Sequence, residues 1–124
     1  MKFKLKLIGF GFLALIIIVV NQSTGSEVDN FTIKRIGSYG DGNGQFNVPH
    51  SLVFDDDGNM YITDINNNRV QKLSPDGKFI SKWGSKGTGD GQFLGPEGID
   101  VDSFGNIYVA DTGNSRIQKF SPDG

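Results

Sequence analysis

From residue 31 onward, apolar residues occur in short runs separated by stretches rich in glycine, aspartate and asparagine. The runs at 51–55, 60–64, 69–73 and 78–83 are rich in β-branched and aromatic residues. Runs of this length between turn residues predict β-strands rather than helices. Between the last two runs, Pro75 presets the backbone of a tight turn, and a glycine two residues later provides its left-handed exit.

Both faces of these predicted strands carry apolar side chains. Successive side chains of a strand point to opposite faces of its sheet, so each face needs its own apolar cover. One face is predicted to carry Leu52, Phe54, Met60 and Ile62, and the other Val53 and Tyr61.

The strand pattern recurs along the chain. A displacement of 47 residues aligns the sequence with itself without a gap, and about half of the aligned positions are identical. Four antiparallel strands in a period of this size are typical of a propeller blade. We predict blades at 37–83 and 84–124. Residues 26–36 are predicted to be a linker followed by the last strand of a degenerate earlier repeat.

The repeated motif reads Gly-x-Gly-Gln-Phe-x-x-Pro, Asp-x-x-Gly-Asn-x-Tyr and Asp-x-x-Asn-x-Arg-[Val/Ile]-Gln-Lys-[Leu/Phe]. Over residues 31–124 it resembles the NHL repeat. The resemblance implies an all-β fold of four-stranded antiparallel propeller blades. Members of this family act as binding platforms, as sensor domains or, less often, as lyases. Because two blades do not close a ring, we expect an incomplete ring. The chain is then a fragment of a longer protein, or several chains complete the ring together.

The first 25 residues follow a different pattern. Three lysines within the first six residues precede an uninterrupted apolar run at 7–20, and small polar residues follow at 21–26. This order is typical of a secretory signal peptide, and the run also suits a single membrane anchor. Both interpretations predict an N-terminal apolar helix. Both place the rest of the chain outside the cytoplasm because the lysines stay inside, and an uncleaved helix makes the membrane a partner.

Composition and charge exclude several function classes. The chain has no cysteine, which excludes disulfides, cysteine nucleophiles and a RING-type zinc site. Its net charge is −2 even with the N-terminal lysines, which argues against a nucleic-acid partner. The glycine-rich loops at 37–44 and 84–91 lead into strands, so they are predicted to connect blades rather than to bind phosphate. The acidic run at 55–57 is not repeated and is predicted to be a solvated turn.

Candidate binding residues lie in the loops between the second and third strands of each repeat. Asp64 with Arg69, and Asp111 with Arg116, recur in register and are predicted to brace these loops. The loops themselves differ between the copies, and variable loops on a rigid scaffold commonly carry specificity. A protein, peptide or glycan ligand is therefore predicted to contact Ile65, Asn66, Asn67, Asn68, Thr112, Gly113, Asn114 and Ser115.

His50 is the single histidine and lies at the start of an innermost strand, facing the predicted central channel. The stretch 45–52 resembles blades of peptidylglycine amidating lyases, and that resemblance implies that His50 is a zinc ligand. The corresponding residue of the second repeat is Glu97, which we include among the candidate binding residues. A catalytic zinc usually has three protein ligands. The preferred function is therefore a binding scaffold without catalytic residues. The alternative is a metal-dependent lyase whose zinc or calcium site is completed by further blades.

Overall fold

The computed structural model describes residues 16–19 and 32–124 of the chain. This part consists of short strands joined by turns, together with one 3-10 helix at Thr112–Asn114. It contains no helix of the length and apolar character needed to cross a membrane. The strands that precede the first large sheet are β1 (Ile16–Val19), β2 (Thr32–Arg35), β3 (Ser38–Tyr39) and β4 (Gln45–Phe46).

The first large sheet has four antiparallel strands in sequential order, as predicted for one blade. The turns form where the sequence predicts them, and the amide of Gly77 closes the last one by donating to the carbonyl of Ser74 at 2.8 Å. The predicted strands are confirmed, with small shifts at their ends. They are β5 (Pro49–Phe54), β6 (Met60–Asp64), β7 (Arg69–Leu73) and β8 (Phe79–Trp83).

The second large sheet repeats the first. Its three described strands are antiparallel and sequential, and each begins 47 residues after its counterpart in the first sheet. The period seen in the sequence is therefore a period of the structure. The strands are β9 (Pro96–Val101), β10 (Ile107–Asp111) and β11 (Arg116–Phe120).

A bulge in β5 brings the two sheets together. The pairing of β5 with β6 shifts between Pro49 and Leu52. The hydroxyl of Thr63, which is completely buried, accepts a hydrogen bond from the Ser51 amide at 3.0 Å. The same hydroxyl donates to the carbonyl oxygen of Glu97 in β9 at 2.7 Å. One hydroxyl group therefore links the innermost strands of the two sheets.

An apolar seam forms between the two sheets. Trp83 of the first sheet lies between two other aromatic rings, with ring-centroid distances of 6.1 Å to Tyr61 and 5.8 Å to Phe120. The predicted division of the first sheet into two apolar faces is confirmed. The seam contains Tyr61, Val70, Phe93, Ile107 and Val109, with Val53, Trp83, Ile99, Val101 and Phe120 at its margin.

The opposite face of the first sheet packs against residues that precede it. Two of these, Ile36 and Phe46, are buried and lie 47 residues before Trp83 and Phe93. They take the places that Trp83 and Phe93 take in the seam. Both faces are thus covered, as in stacked blades. The cluster contains Ile36, Phe46, Met60, Ile62 and Leu73, with Leu52, Phe54 and Phe79 packed against it.

The second sheet exposes the face that the first sheet buries. Val70 is completely buried in the seam, whereas Ile117, its counterpart in β11, is 67% exposed. The same repeat position therefore has a neighbour in the first sheet and faces solvent in the second.

The N-terminal strands lie beside the position of an earlier repeat. β2 lies 47 residues before β8, where the last strand of a degenerate repeat was predicted. It pairs antiparallel with β1, from Ile16 opposite Arg35 to Val19 opposite Thr32. Apart from β1, the predicted apolar helix and the signal peptide or anchor at residues 1–25 lie outside the described residues and stay predictions.

Candidate functional site

Because the strands of each sheet alternate in direction, their connections lie at two opposite edges. One edge, here termed the tip edge, carries the tip loops 65–68 and 112–115 and the glycine-rich loops 37–44 and 84–91. The other, termed the hairpin edge, carries the hairpins 55–59 and 102–106 and the turns 74–77 and 121–124.

A buried ion pair fixes the first tip loop. Arg69 Nε donates to the carboxylate of Asp64 at 2.8 Å, and both side chains are buried. The remaining guanidinium nitrogens donate to the carbonyl oxygens of Asp41, Gly42 and Gln45. The brace predicted between Asp64 and Arg69 is confirmed. It also holds the preceding glycine-rich loop, which the sequence analysis did not predict.

Two amide side chains extend this brace. Asn67 Nδ2 donates to the same carboxylate and to the carbonyl oxygen of Gly40, both at 2.9 Å. Gln71 donates to the carbonyl of Gln45 and accepts from the amide of Gly44 at 2.9 Å. The glycine-rich loop is thus held by side chains that lie 26 to 28 residues further along the chain.

The second repeat contains the same network. Arg116 Nε lies 2.9 Å from the carboxylate of Asp111, and Asn114 donates to the carbonyl of Gly87 at 2.9 Å. The Arg116 side chain is 28% exposed, compared with 7% for Arg69. The two networks are termed the first brace, with Asp64, Asn67, Arg69 and Gln71, and the second brace, with Asp111, Asn114, Arg116 and Gln118.

Hydrogen bonds set the charge state of Asp111. Burial by itself raises the pKa of this carboxyl. The side chain of Asn114 and the backbone amide of Leu94 donate to it, as do Arg116 and Gln118. Together these donors outweigh burial and lower the pKa of Asp111 below its ordinary value. The carboxylate therefore stays charged in mildly acidic solution.

The residues predicted to bind ligand in the first tip loop differ in their surroundings. Asn67 belongs to the first brace. Asn68 has a φ of +50°, and its side-chain oxygen accepts from the amide of Gly95 at 3.0 Å. Ile65 is half-buried, whereas Asn66 is exposed. Of these four side chains, that of Asn66 faces solvent most openly.

The second tip loop is built around the 3-10 helix. The amide of Gly113 donates to the carbonyl of Leu94 at 2.7 Å, which ties the loop to the preceding connection. Asn114 belongs to the second brace. Thr112 and Ser115 are exposed, and Ser115 has a φ of +53°. The structure therefore places Thr112, Gly113 and Ser115 at the surface of this loop.

Two exposed apolar residues at the tip edge were missed by the sequence analysis. Tyr39 is 72% exposed and Val48 is 50% exposed. Val48 has a φ of +62°, which a β-branched residue rarely adopts, and its carbonyl accepts from the amide of Ile65 at 3.2 Å. The counterparts of Tyr39 and Val48 in the second repeat are Lys86 and Gly95. Comparing the two repeats at these positions is the sequence signal that would have found them.

His50 and Glu97 lie on neighbouring inner strands. His50 is exposed in β5, and Glu97 is half-buried in β9, which contacts β5. Among residues 32–124, no three His, Asp or Glu side chains come together in a group suited to hold a metal ion. The zinc or calcium site, and the lyase activity that depends on it, stay predictions.

At the hairpin edge, Asp55 holds its own turn together. Its carboxylate accepts from the amides of Asp57 and Asn59, from the Asn59 side chain at 2.9 Å and from the Tyr61 hydroxyl at 3.2 Å. Lys72 Nζ lies 3.7 Å from this carboxylate and 4.9 Å from the centre of the Tyr61 ring. Burial raises the pKa of Asp55, but the hydrogen bonds from Asn59 and the charge of Lys72 outweigh it and lower the pKa.

The second hairpin has the same arrangement. Asp102 accepts from the amide of Phe104 and from the Asn106 side chain, both at 2.9 Å, and from the Tyr108 hydroxyl at 3.1 Å. Hydrogen bonds, first of all that from Asn106, lower the pKa of Asp102. Lys119 lies 5.4 Å from the centre of the Tyr108 ring. Because this set recurs, it is part of the scaffold.

A family model described as NHL repeat matches this chain twice, at residues 46–73 and 93–120. Each match begins at the buried phenylalanine before an inner strand and ends with the third strand of its sheet. Both braces lie within the matched residues. The resemblance that the sequence motif indicated is therefore confirmed.

Proposed function

Since this chain belongs to the NHL-repeat family and carries two of its repeats, we propose that it is an extracytoplasmic binding scaffold of the propeller type. NHL repeats commonly mediate protein interactions. The ligand that we propose is a protein, peptide or glycan that contacts the tip edge. The negative net charge disfavours a nucleic acid.

The difference between the two repeats at the tip edge carries this proposal. The residues of the two braces are identical in type, so the scaffold is built twice in the same way. The exposed positions beside them vary. Such variation on a fixed frame is typical of surfaces that select a ligand. The first repeat has Tyr39, Val48 and Asn66 where the second has Lys86, Gly95 and Gly113.

The exposed apolar side chains support contact with a macromolecule. Tyr39 and Val48 expose 72% and 50% of their surface at one edge of one repeat. Tyrosine is enriched in protein interfaces because its ring is large and its hydroxyl retains a polar contact. The extracytoplasmic setting rests on the basic, apolar and small-polar order of the first 26 residues.

Site-directed cross-linking tests the tip edge as the contact surface. A photo-reactive amino acid replaces the exposed Asn43 of the first glycine-rich loop, in the full chain expressed in cells. Irradiation is expected to give a discrete adduct, detected by mass. The matched control carries the same amino acid at the exposed Asp76 on the hairpin edge.

An exchange between the repeats makes this test specific. Tyr39→Lys, Val48→Gly and Asn66→Gly introduce the residues of the second repeat together and leave both braces intact. This variant is expected to lose the adduct at position 43. An unchanged adduct, or equal adducts at positions 43 and 76, contradicts the proposed surface.

Cysteine labelling tests the extracytoplasmic setting separately. The chain has no cysteine, so Ser85→Cys introduces a single thiol at an exposed position. A membrane-impermeant maleimide applied to intact cells is expected to label it. Labelling that requires lysis of the cells places the repeats in the cytoplasm and contradicts this part of the proposal.

A further inference from the structure

A cleft opens at the hairpin edge, where the two sheets meet. Its volume is about 280 Å³. One wall belongs to the hairpin 55–59 of the first sheet, and the other to the hairpin 102–106 of the second. Tyr61 and Lys72 lie at its base. This feature is termed the seam cleft, and it lies at the end of the strands opposite to the tip edge.

The two walls have different chemistry at corresponding positions. The first wall carries the exposed carboxylates of Asp56 and Asp57. The residues aligned with them on the second wall are Ser103 and Phe104. The Phe104 side chain is 84% exposed, although it is large and apolar. The seam cleft therefore combines an acidic wall with an aromatic wall, and this combination is not repeated.

The scaffold uses some of the charges around the seam cleft but not all. Asp55 and Asp102 accept hydrogen bonds from their own hairpins. Lys72 lies 3.7 Å from Asp55, and its side chain is only 16% exposed. Burial lowers the pKa of Lys72, but Tyr61 and Asp55 outweigh it and raise the pKa, so the amine keeps its charge. Its positive charge is thus matched within the scaffold.

The remaining charge of the seam cleft is negative. Among the described residues, neither Asp56 nor Asp57 accepts a hydrogen bond from another side chain, in contrast to Asp55 and Asp102. Asp123 adds a further negative charge near Lys72. The excess favours a cation and disfavours an anionic ligand.

We propose that the seam cleft binds an arginine side chain from a basic segment of a partner protein. A guanidinium group stacks on an aromatic ring and donates paired hydrogen bonds to carboxylates. Phe104 provides the ring, and Asp56 and Asp57 provide the carboxylates. This contact lies at the opposite edge from the ligand surface of the proposed function, so each stands without the other.

Titration with short peptides tests the proposal on the full, isotope-labelled chain. The probe is the peptide acetyl-Gly-Arg-Gly-amide at low ionic strength, followed by amide chemical shifts. Matched peptides replace arginine by lysine or by the neutral isostere citrulline. The arginine peptide is expected to shift amides in hairpins 55–59 and 102–106, with weaker binding as salt is added. Lysine is expected to bind more weakly, and citrulline not to bind measurably.

Substitutions at exposed positions then separate the two walls. Phe104→Ala is expected to weaken binding of the arginine peptide about threefold, and Asp56→Asn with Asp57→Asn about fivefold or more. The control is Asp76→Asn, which removes an exposed acidic group of the same edge outside the cleft. It is expected to change binding less than twofold.

Three results overturn the proposal. The first is equal binding of the citrulline or lysine peptide. The second is a set of shifts spread over acidic residues throughout the molecule. The third is an effect of Asp76→Asn as large as that of the cleft variants. None of these results bears on cross-linking at the tip edge, so the two proposals fail independently.

Discussion

Val48 and Gly95 occupy the same position in their repeats and have the same backbone conformation, with φ of +62° and +63°. Glycine adopts this left-handed region without strain, whereas a β-branched residue does so at a cost of about 1–3 kcal/mol. The first repeat therefore holds a strained residue where the second repeat has an unstrained one.

Exchanging these two residues tests the strain. Val48→Gly is expected to raise the free energy of unfolding by about 1 kcal/mol, because the strain relieved exceeds the added freedom of the unfolded chain. Gly95→Val is expected to lower it by about 1–3 kcal/mol. A β-carbon at position 95 meets its nearest atom, in Ile65, at an ordinary 3.8 Å, so crowding at the β-carbon is not the cause. Urea denaturation followed by circular dichroism measures both. A loss of stability in Val48→Gly contradicts the strain.

The two braces differ in burial, and this difference predicts unequal effects. Arg69→Ala leaves the completely buried carboxylate of Asp64 without its partner and is expected to destabilise the protein by about 3–5 kcal/mol. Arg116 is four times as exposed as Arg69, and water can solvate the site that it leaves. Arg116→Ala is expected to have about half the effect or less. Paired urea denaturation curves decide this, and equal losses show that burial of the arginine does not set the cost.

The hydroxyl of Thr63 predicts a defined cost for a change of nearly constant shape. Thr63→Val leaves the Ser51 amide and the Glu97 carbonyl without their partner in a buried site, and is expected to cost about 1–3 kcal/mol. The counterpart in the second repeat is Ala110, which makes no such link. Ala110→Val provides the matched control at an incompletely buried position. Thr63→Ser, which keeps the hydroxyl, is expected to retain much of the stability. A neutral Thr63→Val shows that the link between the inner strands does not stabilise the fold.

The lowered pKa of Asp111 predicts sensitivity to acid. In the unfolded chain this carboxyl titrates near pH 3.9, and in the folded chain it titrates lower. The folded state therefore gains stability from Asp111 above the unfolded pKa, and this gain is lost as the pH falls through the folded value. Between about pH 5 and pH 2, Asp111→Asn is expected to show a smaller loss of stability than the parent chain. Asn114→Ala, which removes one donor but keeps the carboxyl, should lie between the two. Equal acid sensitivity of all three chains contradicts this assignment.

The sequence predicted most of the fold because the fold is local within each repeat. Four strands, their turns and the two apolar faces follow from alternation and turn chemistry within about 50 residues. The pairing of Asp64 with Arg69 was also predictable, since five residues separate them on adjacent strands. The bulge in β5 was not predictable, because it depends on how the Thr63 hydroxyl meets Ser51 and Glu97.

The candidate site was harder to predict than the fold. Asn67 and Asn114 appear in the sequence as polar loop residues, and their variable neighbours indicated a binding loop. Their amides are held by the carbonyls of Gly40 and Gly87, each 27 residues away, a contact that no local pattern contains. The strained φ of Val48 likewise follows from the path of the chain into β5. The assignment of ligand contacts to the tip loops stays a prediction.

The position of Trp83 makes the seam between the sheets observable in solution. It is the single tryptophan of the chain, and its ring lies against Phe120 of the second sheet. The emission of an indole shifts to longer wavelength when water reaches it. Fluorescence excited at the tryptophan band thus reports the separation of the two repeats without an added label. Comparison with circular dichroism then distinguishes blades that come apart while folded from blades that unfold.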